Sequence, residues 1–141
     1  MNSERFERHC EHGSRPLVIN VEQAACENEN FRMELWTGKC LQMTLMCIPV
    51  QGEIGWEVHE DTDQYLRVEQ GMGMATFGEC KINISSKCKV ECNDGIFVPA
   101  GTWHNIINIG KVPLKISSVY APPHHPKGTI QKTKADAERM E

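Results

Sequence analysis

The chain has 141 residues, 40% of them hydrophobic and 24% charged, the size and balance of one globular domain with its own core. Fifteen basic against nineteen acidic side chains leave a net charge of −4, so no basic stripe points to nucleic acid or an anionic membrane as a partner. No apolar run approaches the ~20 residues of a membrane helix, and the charged stretch from Met1 to Arg8 lacks a secretory signal's apolar segment. A cytoplasmic protein is predicted.

In chain order, residues 1–16 are polar, carry His9 and His12 without periodicity, and read as a flexible N-terminal arm. Asn20 is placed to cap a short helix through Val21, Ala24 and Ala25. Short strands are predicted next over 31–36, 41–48, 54–59, 64–69, 72–77, 81–85, 87–91, 96–98, 103–109 and 112–120. Turn residues such as Gly71, Gly78, Asn93-Asp94-Gly95 and Pro99-Ala100-Gly101 separate them. So many strands without intervening helices argue for an all-β sandwich or barrel. Beyond Ala121-Pro122-Pro123 a central strand cannot continue. The tail through Thr133, Ala135, Ala137 and Met140 has helix-forming composition. The barrel is therefore assigned to 17–126 and a C-terminal tail or short helix to 127–141.

The seven cysteines, at 10, 26, 40, 47, 80, 88 and 92, are odd in number and show no Cys-x-x-Cys spacing. Neither a disulfide framework nor a thiolate zinc site is expected. Cys40 and Cys47 lie in an apolar run and read as small core hydrophobes. Cys88 and Cys92, four apart on a predicted hairpin, are the suggestive redox pair.

Alternation assigns faces. Gln64, Leu66 and Val68 share the inner face of their strand, which turns the Gln64 amide inward, with Tyr65, Arg67 and Glu69 outside. In 54–59 the faces are Ile54, Trp56 and Val58 against Gly55, Glu57 and His59. If Glu57 and His59 point inward, the apolar triplet needs a cover, and a homodimer is predicted on that ground. Trp36, Trp56 and Trp103 read as core or interface packing.

Glu57 and His59 leave one side of a strand about 7 Å apart at Cα, within joint reach of one ion. The acidic turn Glu60-Asp61-Thr62-Asp63 reverses the chain, either as a solvated hairpin end or as a source of a fallback ligand in Asp61 or Asp63. Far along, Pro99-Ala100-Gly101-Thr102-Trp103-His104 is a tight turn that delivers His104 onto another strand, with Asn108 four residues later. This second segment matches the second cupin motif, Pro-x-Gly-x-x-His-x-x-x-Asn, at each of those positions. The first resembles the first cupin motif, with Gly71 at its closing glycine, Gln64 in place of its glutamate, His59 at its second histidine and Glu57 in place of its first. The chain is thereby identified as a member of the cupin superfamily, resembling the mannose-6-phosphate isomerase-like cupins.

That resemblance implies a double-stranded β-helix, or jelly-roll, barrel with short N- and C-terminal helices. It also implies one divalent transition metal (Zn, Mn, Fe or Ni, with Zn slightly favoured) held by Glu57, His59, Gln64 and His104. Each residue also has a structural alternative: a surface imidazole, a hydrogen-bonded carboxylate or a turn-bonded amide. Pro122-Pro123-His124-His125-Pro126 either holds two imidazoles over the barrel mouth or is a rigid exposed connector. A small-molecule substrate or ligand is expected. Three function classes remain: a sugar or sugar-phosphate isomerase with Glu53, His124 or His125 as base, a non-haem metal dioxygenase, and a non-catalytic metal-dependent binding module. Gly71-Met72-Gly73 lacks the strand-to-helix context of a phosphate loop.

Overall fold

The computed structural model describes residues 15–140. Nine strands run as β1 (Arg32–Thr37), β2 (Gln42–Ile48), β3 (Asp63–Gln70), β4 (Met72–Gly78), β5 (Ser86–Glu91), β6 (Gly95–Val98), β7 (Trp103–Asn108), β8 (Leu114–Ala121) and β9 (Ile130–Gln131). Helices α1 (Val21–Glu27) and α2 (Lys134–Arg139) flank them. A six-stranded sheet in the order β6-β3-β8-β2-β1-β9 faces a three-stranded sheet, β5-β4-β7. This is the expected all-β jelly roll with short terminal helices.

Interior side chains divide the barrel lengthwise. Along β2 the inward positions pass from Gln42 and Thr44 to Met46 and Ile48. Register sets these against Tyr120, Ser118, Ile116 and Leu114 of β8. On the other flank of β8, Gln64 of β3 pairs with Tyr120, and Val68 with Ile116. One end of the interior is therefore polar. The other is a packed core of Met46, Ile48, Leu66, Val68, Ile106, Leu114 and Ile116, each contributing about 1.5–3 kcal/mol by leaving water.

The outer face of the large sheet is also covered. Ala24 and Ala25 of α1 pack on Leu35 and Leu45, and Asn20 caps the helix by accepting from the Gln23 amide. A seven-residue helix has little stability alone, so this packing is what retains it. The cover also buries Glu69, which accepts from Ser117 Oγ. An outward position on β3 thus becomes an interior one, contrary to simple alternation.

Two predicted strands do not form. Residues 54–59 cross β7 only at the isolated bridges Glu53↔Ile107 and Glu57↔His104, because Gly55 at φ 112° breaks the pleat between them. Alternation fails there, and Ile54 joins the core while Glu57 and His59 also face inward. Trp56 stacks on Trp103 at 6.0 Å. The uncovered apolar triplet that predicted a dimer is thereby absent. Residues 81–85 form a turn closed by the Cys80↔Asn83 bridge, with exposed side chains. Strand β9 was unpredicted. Cys40 is exposed rather than buried, and Cys88 and Cys92 are free thiols. His9, His12 and Cys10 lie outside the described residues. Among those described, no helix is long and apolar enough to cross a membrane.

Candidate metal centre

Each predicted histidine is delivered by a turn. Pro99 accepts from the Thr102 amide and the Gly101 amide reaches His59 O at 2.9 Å, so the late turn is tied to the early ligand segment. Gly101 sits at φ 85°, the left-handed region that favours glycine. Asp63 Oδ1 accepts from the Ala100 amide at 2.8 Å, which assigns this acidic-turn residue a structural part. Asn108 fastens the far end of β7, donating to the Ile48, Pro49 and Val112 carbonyls.

The backbones of Glu57 and His104 exchange two hydrogen bonds, of 2.8 and 3.0 Å. As a result the Glu57, His59 and His104 side chains converge, with one ligand atom from each lying within 4.8 Å of the others. His59 Nε2 is 3.3 Å and His104 Nε2 3.6 Å from Glu57 Oε2. Neither contact has hydrogen-bond geometry, and both ring nitrogens are buried without a partner. His104 Nδ1 lies 2.9 Å from Thr102 O. That carbonyl takes the Nδ1 proton and leaves Nε2 as a lone pair aimed at the cluster, the orientation that second-shell bonds give to metal-bound imidazoles.

Gln64 shares the inner face with Tyr120, whose ring meets His59 edge-on at 5.7 Å. Its Nε2 donates to Ser118 Oγ at 2.8 Å, while Oε1 is buried and unpartnered. Burying an acceptor unpaired costs about 1–3 kcal/mol. Three unpartnered acceptors around one carboxylate fit a divalent cation: two neutral nitrogens, an amide oxygen and one negative charge. Burial would raise the Glu57 pKa, but hydrogen bonding and charge from His104 and His59 outweigh it and hold the carboxyl well below its usual range.

A cavity of about 400 Å³ opens from this cluster, its lining including Arg32, Glu57, His59, His124, His125 and Gln131. Pro122–Pro126 is therefore more than a connector. Its backbone is held by Gln42, a fully buried side chain, through Gln42 Nε2 to His125 O at 2.7 Å. Gln42 Oε1 accepts from the His124 and His125 amides at 3.2 and 2.9 Å. The His124 ring thus lies 4.3 Å from His59, centroid to centroid, and His125 Nε2 is 3.3 Å from the Tyr120 hydroxyl. Burial lowers both imidazoles, His125 to about 3, so both are neutral at pH 7. Glu53 does not line this cavity and accepts instead from Asn105 Nδ2.

Sequence reasoning missed Gln42, Arg32 and Gln131. The one available signal was alternation in β1, where Met33 and Leu35 oppose Arg32 and Glu34. The apolar pair packs beneath α1, leaving Arg32 for the cavity.

Comparison with known proteins places residues 44–132 in the family described as Cupin domain. The uncharacterized Bacillus subtilis protein YrkC is 48% identical over 127 residues, 90% of this chain and 68% of that one. An uncharacterized protein of Acanthamoeba polyphaga mimivirus is 35% identical over 80% of this chain and 69% of its own. A Bacillus halodurans crystal structure superposes with TM-score 0.89 at 48% identity, covering 91% of this chain and 97% of that one. Bacillus subtilis oxalate decarboxylase shares the fold alone, at TM-score 0.57 and 18% identity over 63% of this chain and 23% of its own.

Proposed function

Because this chain belongs to the cupin family, a barrel that hosts many unrelated chemistries, we propose from its own site that it is a metal-dependent enzyme. Its substrate is a small polyhydroxylated molecule, a sugar or sugar phosphate, and its reaction an isomerisation. The observation that carries this reading is the convergence of Glu57, His59 and His104 at the floor of a cavity flanked by neutral imidazoles.

Glu57, His59 and His104 would hold the ion, with Gln64 Oε1 completing the set. A bound divalent ion supplies Lewis acidity to a carbonyl and its neighbouring hydroxyl. Glu57 stays ionised and balances part of the positive charge. The Thr102 carbonyl fixes the His104 ring. His124, neutral and beside His59, accepts the proton from the carbon next to the carbonyl and returns it to the adjacent carbon. Gln42 keeps His124 at that distance.

Elemental analysis of purified protein is expected to find close to one transition metal per chain, and His59→Ala and His104→Ala should each strip it. Metal-loaded protein incubated with aldose–ketose pairs in deuterated water should incorporate deuterium at the carbon beside the carbonyl. Retention of full metal by both variants, or no incorporation with Zn, Mn, Fe or Ni, overturns the reading. A second reading, a dioxygenase, draws on the two-histidine, one-carboxylate set itself, a pattern suited to Fe(II). Oxygen uptake with the iron form in place of deuterium incorporation would select it. Tight metal without any turnover would select a binding module.

A further inference from the structure

One charge in the cavity is unmatched. Arg32 is 4% exposed, yet no carboxylate pairs with it among the described residues. Its Nη1 donates to Gln131 Oε1 at 2.8 Å, and its Nε is buried without a partner. Gln131 stands directly across the β1–β9 pairing from Arg32. Its Nε2 contacts Met140 Sδ at 3.7 Å, which keeps the amide oxygen turned to the guanidinium. The acidic residue lining the cavity, Glu57, is taken up by the two histidines.

A buried guanidinium without a counter-charge costs several kcal/mol after relaxation. That cost falls away if a ligand supplies the missing charge. The guanidinium fork suits an oxyanion with two acceptor oxygens, and such charge-assisted bonds strengthen away from water. We infer that the substrate carries an oxyanion, a carboxylate or a phosphate, which Arg32 binds while the rest of the molecule extends toward Glu57, His59 and His104. Gln131 is the positioning residue that aims the guanidinium. The inference deepens the reading of this cavity as a metal-dependent substrate site and rests on it.

Calorimetric titration of the metal-loaded full chain with gluconate, glucose 6-phosphate and glucose tests it. At least one charged probe should bind about tenfold or more tightly than glucose, and which one does so distinguishes carboxylate from phosphate. Arg32→Gln should reduce that probe to the level of glucose with metal content unchanged, and Arg32→Lys should keep part of the preference. Equal or absent binding of charged and neutral probes to the wild type overturns the inference without recourse to any variant. So does an Arg32→Gln protein that keeps the preference. A chain that prefers the charged probe but holds no metal would keep the oxyanion site and sink the enzyme reading instead, so the two failures are distinguishable.

Discussion

Replacing Gln42 with Leu tests whether the His124-His125 segment is a built part of the cavity. Leucine keeps the side-chain volume at a fully buried position, so the cavity penalty of a truncation is avoided. Four hydrogen bonds disappear: those to Thr37 Oγ1 and His125 O, and those from the His124 and His125 amides. At a net ~0.5–1.5 kcal/mol each, the sum is about 2–6 kcal/mol. The lower part of that range applies, because His124 is exposed and the freed backbone can turn to water. The expected loss of ~2–3 kcal/mol corresponds to a melting temperature lower by roughly 8–12 °C for a domain of this size. Hydrogen exchange read by mass spectrometry should show the His124 and His125 amides losing protection, while elemental analysis finds metal retained. Unchanged protection of those amides would refute the argument, as would loss of metal alongside them.

The remaining expectations concern pH and the far end of β7. His125, lowered to about 3 by burial, is neutral in the folded protein and protonates near its ordinary 6.5 when unfolded. The unfolded chain then binds the extra proton between those values, so stability is full above about 6.5 and falls as pH drops toward 3. Glu57 acts in the same direction at lower pH: with its carboxyl held below the usual 4.5, its contribution is present above that value and is lost on further acidification. Denaturant melts of metal-free protein across this range, with imidazole titration by NMR, check both, and a flat profile from pH 7 to 3 would contradict them. Asn108→Ala leaves the Ile48, Pro49 and Val112 carbonyls and the Gly110 amide without their partner. A loss of about 2–4 kcal/mol is expected in chemical denaturation.

Much of the fold was legible in the residues because strand alternation and turn chemistry are local. Asn20 marked the α1 start, and Pro99 through His104 spelled out the turn that delivers a ligand. The pairing of Glu57 and His59 with His104 followed from the same motifs. Alternation misled where a single Gly55 dihedral shifted the parity of 54–59 and where α1 covered the sheet's second face. An apolar pattern says which side of a strand is buried, not which of two buried sides surrounds the cavity.

By itself, then, the sequence determined an all-β barrel with two short helices, the turns that shape it and three convergent side chains. The tertiary structure alone decided what surrounds those side chains. Gln42 meets His125 across 83 positions of chain and Arg32 meets Gln131 across 99. No period or spacing encodes such partnerships, since they exist only once sheet register has brought distant segments side by side.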